Sequence, residues 1–233
     1  MMVRPNPGAD DWDYVSGARW RQLRVHLNDG LITAAGILQA LTSAGATGLE
    51  ALIAAIATTI VGTLLVLGAE YGEAAGDAAS QRAIIAAERR RLEMSPDEEF
   101  EELVGIYRAK GLTDGLARQV TEELFARDAL AAQLDAEYGI VPTGPRTSPW
   151  RMSSSYAAAF AVGSVLPMIL VAIAPRVVRE VATFVIIAVA LVISAALGAR
   201  SDRTNAVAAV LRTLALGLFS MGISLGAGLL LSF

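Results

Sequence analysis

Carboxylates are the side chains of this 233-residue sequence whose placement could do chemistry. Asn28-Asp29-Gly30 opens a charge-free run from Gly30 to Gly48, and Glu70-Tyr71 closes another from Ala51 to Ala69. A carboxylate at membrane depth is costly unless it is paired, protonated or wetted, so acids at such positions are functional candidates by default. Glu73 and Asp77 continue the Glu70 face of a helix at i+3 and i+7, making an acidic stripe. Oxygen ligands in this arrangement suit a divalent cation and can exchange it for protons. The competing expectation is that Asp29 caps the run it opens, while Glu70 and its neighbours sit in headgroup water. His26, one turn before Asp29, is the only histidine; it could serve Asp29 as proton acceptor or co-ligand, or be an interfacial side chain.

A second acidic group comprises Glu98, Glu99, Glu101 and Glu102, with Glu88 and Glu93 before it and Glu137 after it. Glu99 and Glu102 share a helix face, so one helix could grip an ion with both. Acids in a first turn also complement the helix dipole, and charge runs are mostly solvated surface. Arg89-Arg90-Arg91 suits either lipid phosphates or these glutamates.

The elements that must position these groups follow from composition. A hydrophobic fraction of 54% with only 18% charged residues lies beyond the range of a water-soluble chain and indicates an all-α integral membrane protein. Five runs lack Asp, Glu, Lys and Arg for about 18 residues or more, the length a helix needs to cross the hydrocarbon: Gly30 to Gly48, Ala51 to Ala69, Met152 to Pro175, Val181 to Ala199 and Thr213 to Phe233. Thr33, Gln39, Thr42 and Ser43 dilute the first, which therefore suits protein or a water-filled path better than lipid. Pro167 predicts a kink in the third span, and Gly222 with Gly226 gives the fifth a small-residue face suited to close helix contact, as in a dimer.

Three domains are expected: 1–76 with an interfacial helix and spans 1 and 2, 77–150 as a soluble helical module, and 151–233 with spans 3 to 5. The module holds 14 of the 23 acidic residues. Its apolar positions, such as Leu103, Ile106 and Tyr107, then Leu116, Val120 and Leu124, and Leu130 with Leu134, recur at helical spacing and predict three amphipathic helices. Ser95-Pro96 opens the second, Gly111 ends it, Thr113 or Asp114 caps the third, and Gly139, Pro142, Gly144 and Pro145 close the region.

Asp10, Asp11 and Asp13 argue against a signal peptide, whereas Trp12, Tyr14 and Trp20 among Arg19, Arg21 and Arg24 suggest an amphipathic interfacial helix. The arginines before the first span, after the second, and at Arg200 and Arg203 share one side, which the positive-inside rule makes cytosolic together with the N-terminus; Arg176 and Arg179 oppose this. Arginine dominates over the single Lys110, a GC-rich pattern that points to a bacterial inner membrane. The absence of cysteine removes thiolate chemistry, one histidine cannot build a multi-imidazole metal site in one chain, and a net charge of −4 gives no sign of nucleic-acid binding. No nucleophile–base pairing, nucleotide loop or Glu-x-x-His is recognisable, so an enzyme is not expected.

The order of these features resembles the vacuolar iron transporter family. The likeness rests on Asn28-Asp29-Gly30, Ala69-Glu70-Tyr71, Glu88-Arg89-Arg90, Glu98 through Leu103, Ile106-Tyr107, Gly111-Leu112, Ala126 through Leu130, and the Gly163-to-Pro167 third span, from about Trp20 to the C-terminus. It implies a homodimer of five-span subunits that exports ferrous iron, and manganese, from the cytosol in exchange for protons, with no tightly bound cofactor. It implies that the first spans of both subunits line the path and that a three-helix glutamate-rich cytosolic domain collects metal. Carried over by position, the metal-handling carboxylates are Asp29, Glu70, Glu88, Glu99, Glu102 and Glu137. The chain departs from the pattern where Arg91 replaces a glutamate, Val66 and Gln133-Leu134 replace methionines, and Ala69 replaces glycine; a cation inside an acidic cluster lowers its affinity for metal. These departures also fit a non-transporting, membrane-anchored relative with a degenerate site.

Overall fold

The computed structural model describes residues 7–140, 148–201 and 205–231, and leaves the side chains of residues 7–16, 18, 176–180, 201 and 231 aside. Pro142, Gly144, Pro145 and Arg203 lie outside the described residues. Seven helices are described: α1 (Pro7–Ser43), α2 (Gly48–Met94), α3 (Pro96–Ala109), α4 (Asp114–Tyr138), α5 (Pro149–Ile173), α6 (Arg176–Ser201) and α7 (Ala206–Leu231). They fall into two compact units, Met1–Tyr71 with Trp150–Phe233, and Gly72–Pro149. The expected interfacial segment and first span are one continuous helix, α1, and α2 likewise runs without a break from the apolar second span into the polar stretch. Neither junction carries a proline or a capped glycine, so nothing in the sequence stops the helix.

In the first unit α1 is surrounded. One side packs Leu31, Ile32 and Ala35 against Phe184, Ile187 and Leu191 of α6 and Leu214 and Met221 of α7. The other packs Ile37, Leu38 and Leu41 against Ala51, Leu52 and Ala55 of α2 and Met168 and Val171 of α5. Lipid tails are as apolar as leucine, so helices in a bilayer associate through close packing rather than through a hydrophobic drive. The residues obey that logic: Gly30, Ala34, Ala35, Gly36, Ala51 and Ala55 are buried, while Ile53, Ile56, Ile60, Leu64 and Leu65 of α2 are exposed. Encasement also explains how α1 tolerates Gln39, which is 2% exposed and donates from Nε2 to Ser43 Oγ (3.3 Å).

Four helices, α2, α5, α6 and α7, are long and apolar enough to cross a membrane among the described residues; α1 is too polar to join them by composition. Four such helices in one chain are the mark of an integral membrane protein. The helix α5 continues through the buried Pro167. A Cβ on Gly222 or Gly226 would meet nothing within 4 Å, so this small face is uncovered in one copy of the chain.

Two glycines set where α1 meets α5. A Cβ on Gly30 would run into the Phe160 carbonyl, and one on Gly163 into the Leu27 carbonyl, so the two backbones touch where the Asn28-Asp29-Gly30 motif begins its turn of helix. Ser164 Oγ lies 3.1 Å from the Gly30 carbonyl and 3.0 Å from that of Phe160, tying the crossing. Asp29 therefore sits on a backbone position fixed from both sides.

The second unit is built from the polar part of α2 with α3 and α4. Pro96 starts α3 with Asp97, Glu98 and Glu99 in its first turn, where the dipole favours acids; the Ser95 side chain makes no cap bond. Gly111 and Gly139 adopt positive φ (98° and 64°) where α3 and α4 end, as expected of glycine after a helix. Asp128, at φ −164° and ψ 94°, interrupts α4, and its Oδ1 accepts the Ala131 N–H (2.9 Å), capping a new helical segment. Leu103, Val104, Ala117 and Leu134 form the core, with Phe100 and Phe125 edge to face at 5.3 Å.

Candidate metal and proton sites

Two groups of ionisable side chains are buried by these elements, one in each unit. In the first, α1 and α2 are joined by a turn at Ala44–Thr47, which brings α2 back alongside α1. Glu70 is brought to His26: Oε1 lies 2.9 Å from Nε2, with side chains 17% and 12% exposed. The contact joins a ring nitrogen to a carboxylate oxygen, so it is a hydrogen bond or an ion pair according to the protons the ring carries. The ring packs on that of Tyr156 from α5, tilted at 5.3 Å, and Tyr156 is itself buried. His26 Nδ1 and Asn28 Oδ1 are buried without a hydrogen-bond partner. Leaving a polar atom in that condition costs about 1–3 kcal/mol.

Asp29 lies on the exposed face of α1, as does Thr33 one turn further on. Glu73 and Asp77, expected to extend the Glu70 face, are exposed, so only Glu70 of that stripe turns inward.

In the second unit Glu88 is fully buried and Glu99 is 5% exposed, whereas Glu102 and Glu137 are exposed. Arg91 joins the two buried acids: Nη2 is 2.7 Å from Glu88 Oε2 and Nη1 is 3.9 Å from Glu99 Oε1. Its geometry toward Glu88 is that of an ion pair and leaves both Glu88 oxygens without a hydrogen bond. Nη2 also donates to the Tyr138 hydroxyl (2.7 Å), and Gln133 Nε2 donates to Glu99 Oε2 (2.9 Å). The Gln133 Oε1 is a further buried oxygen with no partner. Burial pushes the Glu88 carboxyl up to about 7, helped by the neighbouring Glu99 carboxyl and the charge of Glu137, and opposed by Arg91. The Tyr138 hydroxyl is also raised, chiefly by a hydrogen bond to Glu137.

The acids carried over by position therefore divide. Glu88 and Glu99 come together, and the charge of Glu137 is felt by Glu88. Glu99 and Glu102 share a helix, but one is buried and the other exposed. Among the described residues no three acids or histidines stand close enough to hold a metal ion together. What the spacing missed is the pairing of His26 with Glu70 rather than only with Asp29, and the roles of Tyr156, Gln133 and Tyr138. A short turn between two long helices signals that α1 and α2 run side by side, but not which residues meet.

Comparison with known proteins accords with this ordering of elements. A family model described as "VIT family" matches residues 21–229. A protein named vacuolar iron transporter, from Acanthamoeba castellanii, is 31% identical over 184 residues, covering 78% of this chain and 69% of that protein. The chain belongs to the VIT family, whose members are transporters and not enzymes.

Proposed function

We propose that this protein is a homodimeric divalent-metal transporter that exports ferrous iron, and manganese, from the cytosol in exchange for protons. The supporting observation is the acid–base set on α1 and α2: Asp29 exposed on the helix that packs against four others, and Glu70 paired with His26. A carboxylate and a hydroxyl, Asp29 and Thr33, one turn apart on the surface of an apolar unit would be costly against lipid. A second copy of the chain, meeting the first across these residues, would turn that surface into a hydrated path with Asp29 of both subunits in it. In this reading α1 is the fifth span, polar because it is sheltered, and the N-terminus and the module expected over 77–150 lie in the cytosol of a bacterial inner membrane. The similar amoebal protein is named for iron, which supports ferrous ion as cargo. Glu102 and Glu137, being exposed, then meet ions before Glu88 and Glu99 do.

One observation favours a second reading for the module alone. Arg91 already stands between Glu88 and Glu99, where a divalent ion would otherwise neutralise them. On that reading the module scaffolds the transporter and does not collect metal, and a degenerate path would make the whole protein a membrane-anchored scaffold.

Uptake of Fe2+ by proteoliposomes under an imposed pH gradient tests the proposal. Flux by the wild type that follows the gradient and disappears in Asp29→Ala is expected. Equal flux in the two would mean that the pathway lies elsewhere.

A further inference from the structure

We propose that the membrane unit holds a phosphate group, that of an anionic phospholipid, in a cavity of about 190 Å3 between α1, α6 and α7 that is lined by Arg21, Arg24 and Arg212. The inference goes beyond the transport reading and does not depend on it. Arg212 is the one charged side chain of α7, whose other residues are almost all apolar. A charge on a membrane helix is costly and is a functional candidate by default. Arg21 and Arg24, on one face of α1, reach the same cavity. Gly198 of α6 makes the room: a Cβ there would run into the Arg24 guanidinium, so α6 carries no side chain where that group lies. Asn28 Oδ1, from the same lining, is buried and without a hydrogen bond.

Guanidinium is the side chain best matched to phosphate, because it is planar, stays charged and presents its N–H donors as a fork. It carries five such donors, so one bond, such as that from Arg24 Nε to the Trp20 carbonyl (3.4 Å), does not exhaust it. Three guanidiniums brought to one cavity by two helices repel one another, and a bound anion offsets that repulsion. Phosphate can arrive as a free anion or as a lipid headgroup. The lipid is favoured by a neighbouring feature: Arg24 also lines an apolar groove of about 290 Å3 between α1 and α5, with Trp20, Leu27 and Val162, which suits an acyl chain. Basic cavities between membrane helices are known seats of anionic headgroups, and tryptophan marks headgroup depth. The unpartnered Asn28 oxygen calls for a donor, which the hydroxyls of phosphatidylglycerol supply and the trimethylammonium of phosphatidylcholine does not.

The test uses the full-length protein in neutral detergent, titrated with phosphatidylglycerol, phosphatidylcholine or inorganic phosphate, with bound ligand counted by native mass spectrometry. Expected is one saturable phosphatidylglycerol per chain, held more tightly than either alternative. Arg212→Gln should weaken it about tenfold, the scale of one lost hydrogen bond to a charged group. Gly198→Ala should weaken it to a similar degree while removing no charge, because the added methyl displaces the flexible end of Arg24. Arg82→Gln removes an exposed arginine of the other unit and should change nothing. Unfolding midpoints without ligand that match the wild type confirm that the variants fold. Equal losses in Arg82→Gln and Arg212→Gln, or no loss in Gly198→Ala, would reduce the effect to bulk attraction between charges and overturn the site. Inorganic phosphate that binds as tightly as the lipid and responds to the same variants would keep the phosphate site and overturn the lipid as its source. No saturable binding of any of the three would overturn the proposal outright.

Discussion

Each unit buries acids against a base, but the bases differ in kind. In the membrane unit Glu70 faces His26, a base that can gain or lose a proton and whose second nitrogen is buried without a hydrogen-bond partner. In the Gly72–Pro149 unit Glu88 and Glu99 face Arg91, whose guanidinium is permanently charged and offers donors only. A buried carboxylate beside histidine keeps its ability to share an incoming cation; one beside arginine already has its cation. The same residue type, glutamate, is thus open chemistry in one place and closed chemistry in the other, and the partner decides.

The contrast can be broken or sharpened by substitution. The largest effect is expected at the backbone crossing that positions Asp29 and His26. Gly163→Leu forces a side chain into the Leu27 carbonyl and should cost roughly 3 kcal/mol or more, seen as a large fall in the thermal midpoint of the detergent-solubilised protein. Next comes the buried acid of the other unit. Glu88 has a folded pKa near 7, above its ordinary 4.5, so the fold favours the neutral acid. That contribution is complete below pH 4.5 and is lost as pH rises through 7. Glu88→Gln should match the wild type near pH 4.5 and exceed it at pH 8 by at most ~3 kcal/mol, measured as unfolding midpoints at both pH values. A variant less stable at pH 8 would show that the Arg91 pair outweighs burial.

A smaller effect follows from the guanidinium. Arg91→Ala should raise the affinity of the Glu88–Glu99 group for Mn2+ by about tenfold or more, read by titration, because a fixed positive charge beside the site is removed. Unchanged affinity would mean the module does not bind metal through these acids at all. The smallest effect is expected at the Arg118–Glu101 pair, which is close (2.8 Å) but exposed on both sides. Glu101→Ala should leave the unfolding midpoint unmoved, since water already screens such pairs.

Much of this was legible in the residues themselves. The apolar runs locate α2, α5, α6 and α7 because hydrocarbon tolerates few charges over the length of a span. Gly111, Thr113 and Gly139 mark helix ends because backbone conformation there is a local matter. The dilute run from Gly30 to Gly48 is explained only by tertiary structure, since Gln39 is buried where α1 packs against four other helices. The break at Asp128 was not legible, because the apolar period on either side of it continues and a mid-helix Asp resembles any surface acid. In the sites, burial of Glu88 beside exposed Glu102 could not be read from spacing, because the two belong to different helices whose packing sets which acid is covered. Arg91 stood out in the sequence as a cation among acids, and the structure gives it a location, between the two acids it joins.

A side-by-side measurement of Fe2+ flux in proteoliposomes by the wild type, Glu70→Ala and Glu99→Ala sets one unit against the other. If open chemistry lies with the histidine-paired acid, Glu70→Ala abolishes flux while Glu99→Ala retains most of it. Full flux in Glu70→Ala with loss in Glu99→Ala would contradict this account and move the ion's essential contacts to the arginine-held cluster.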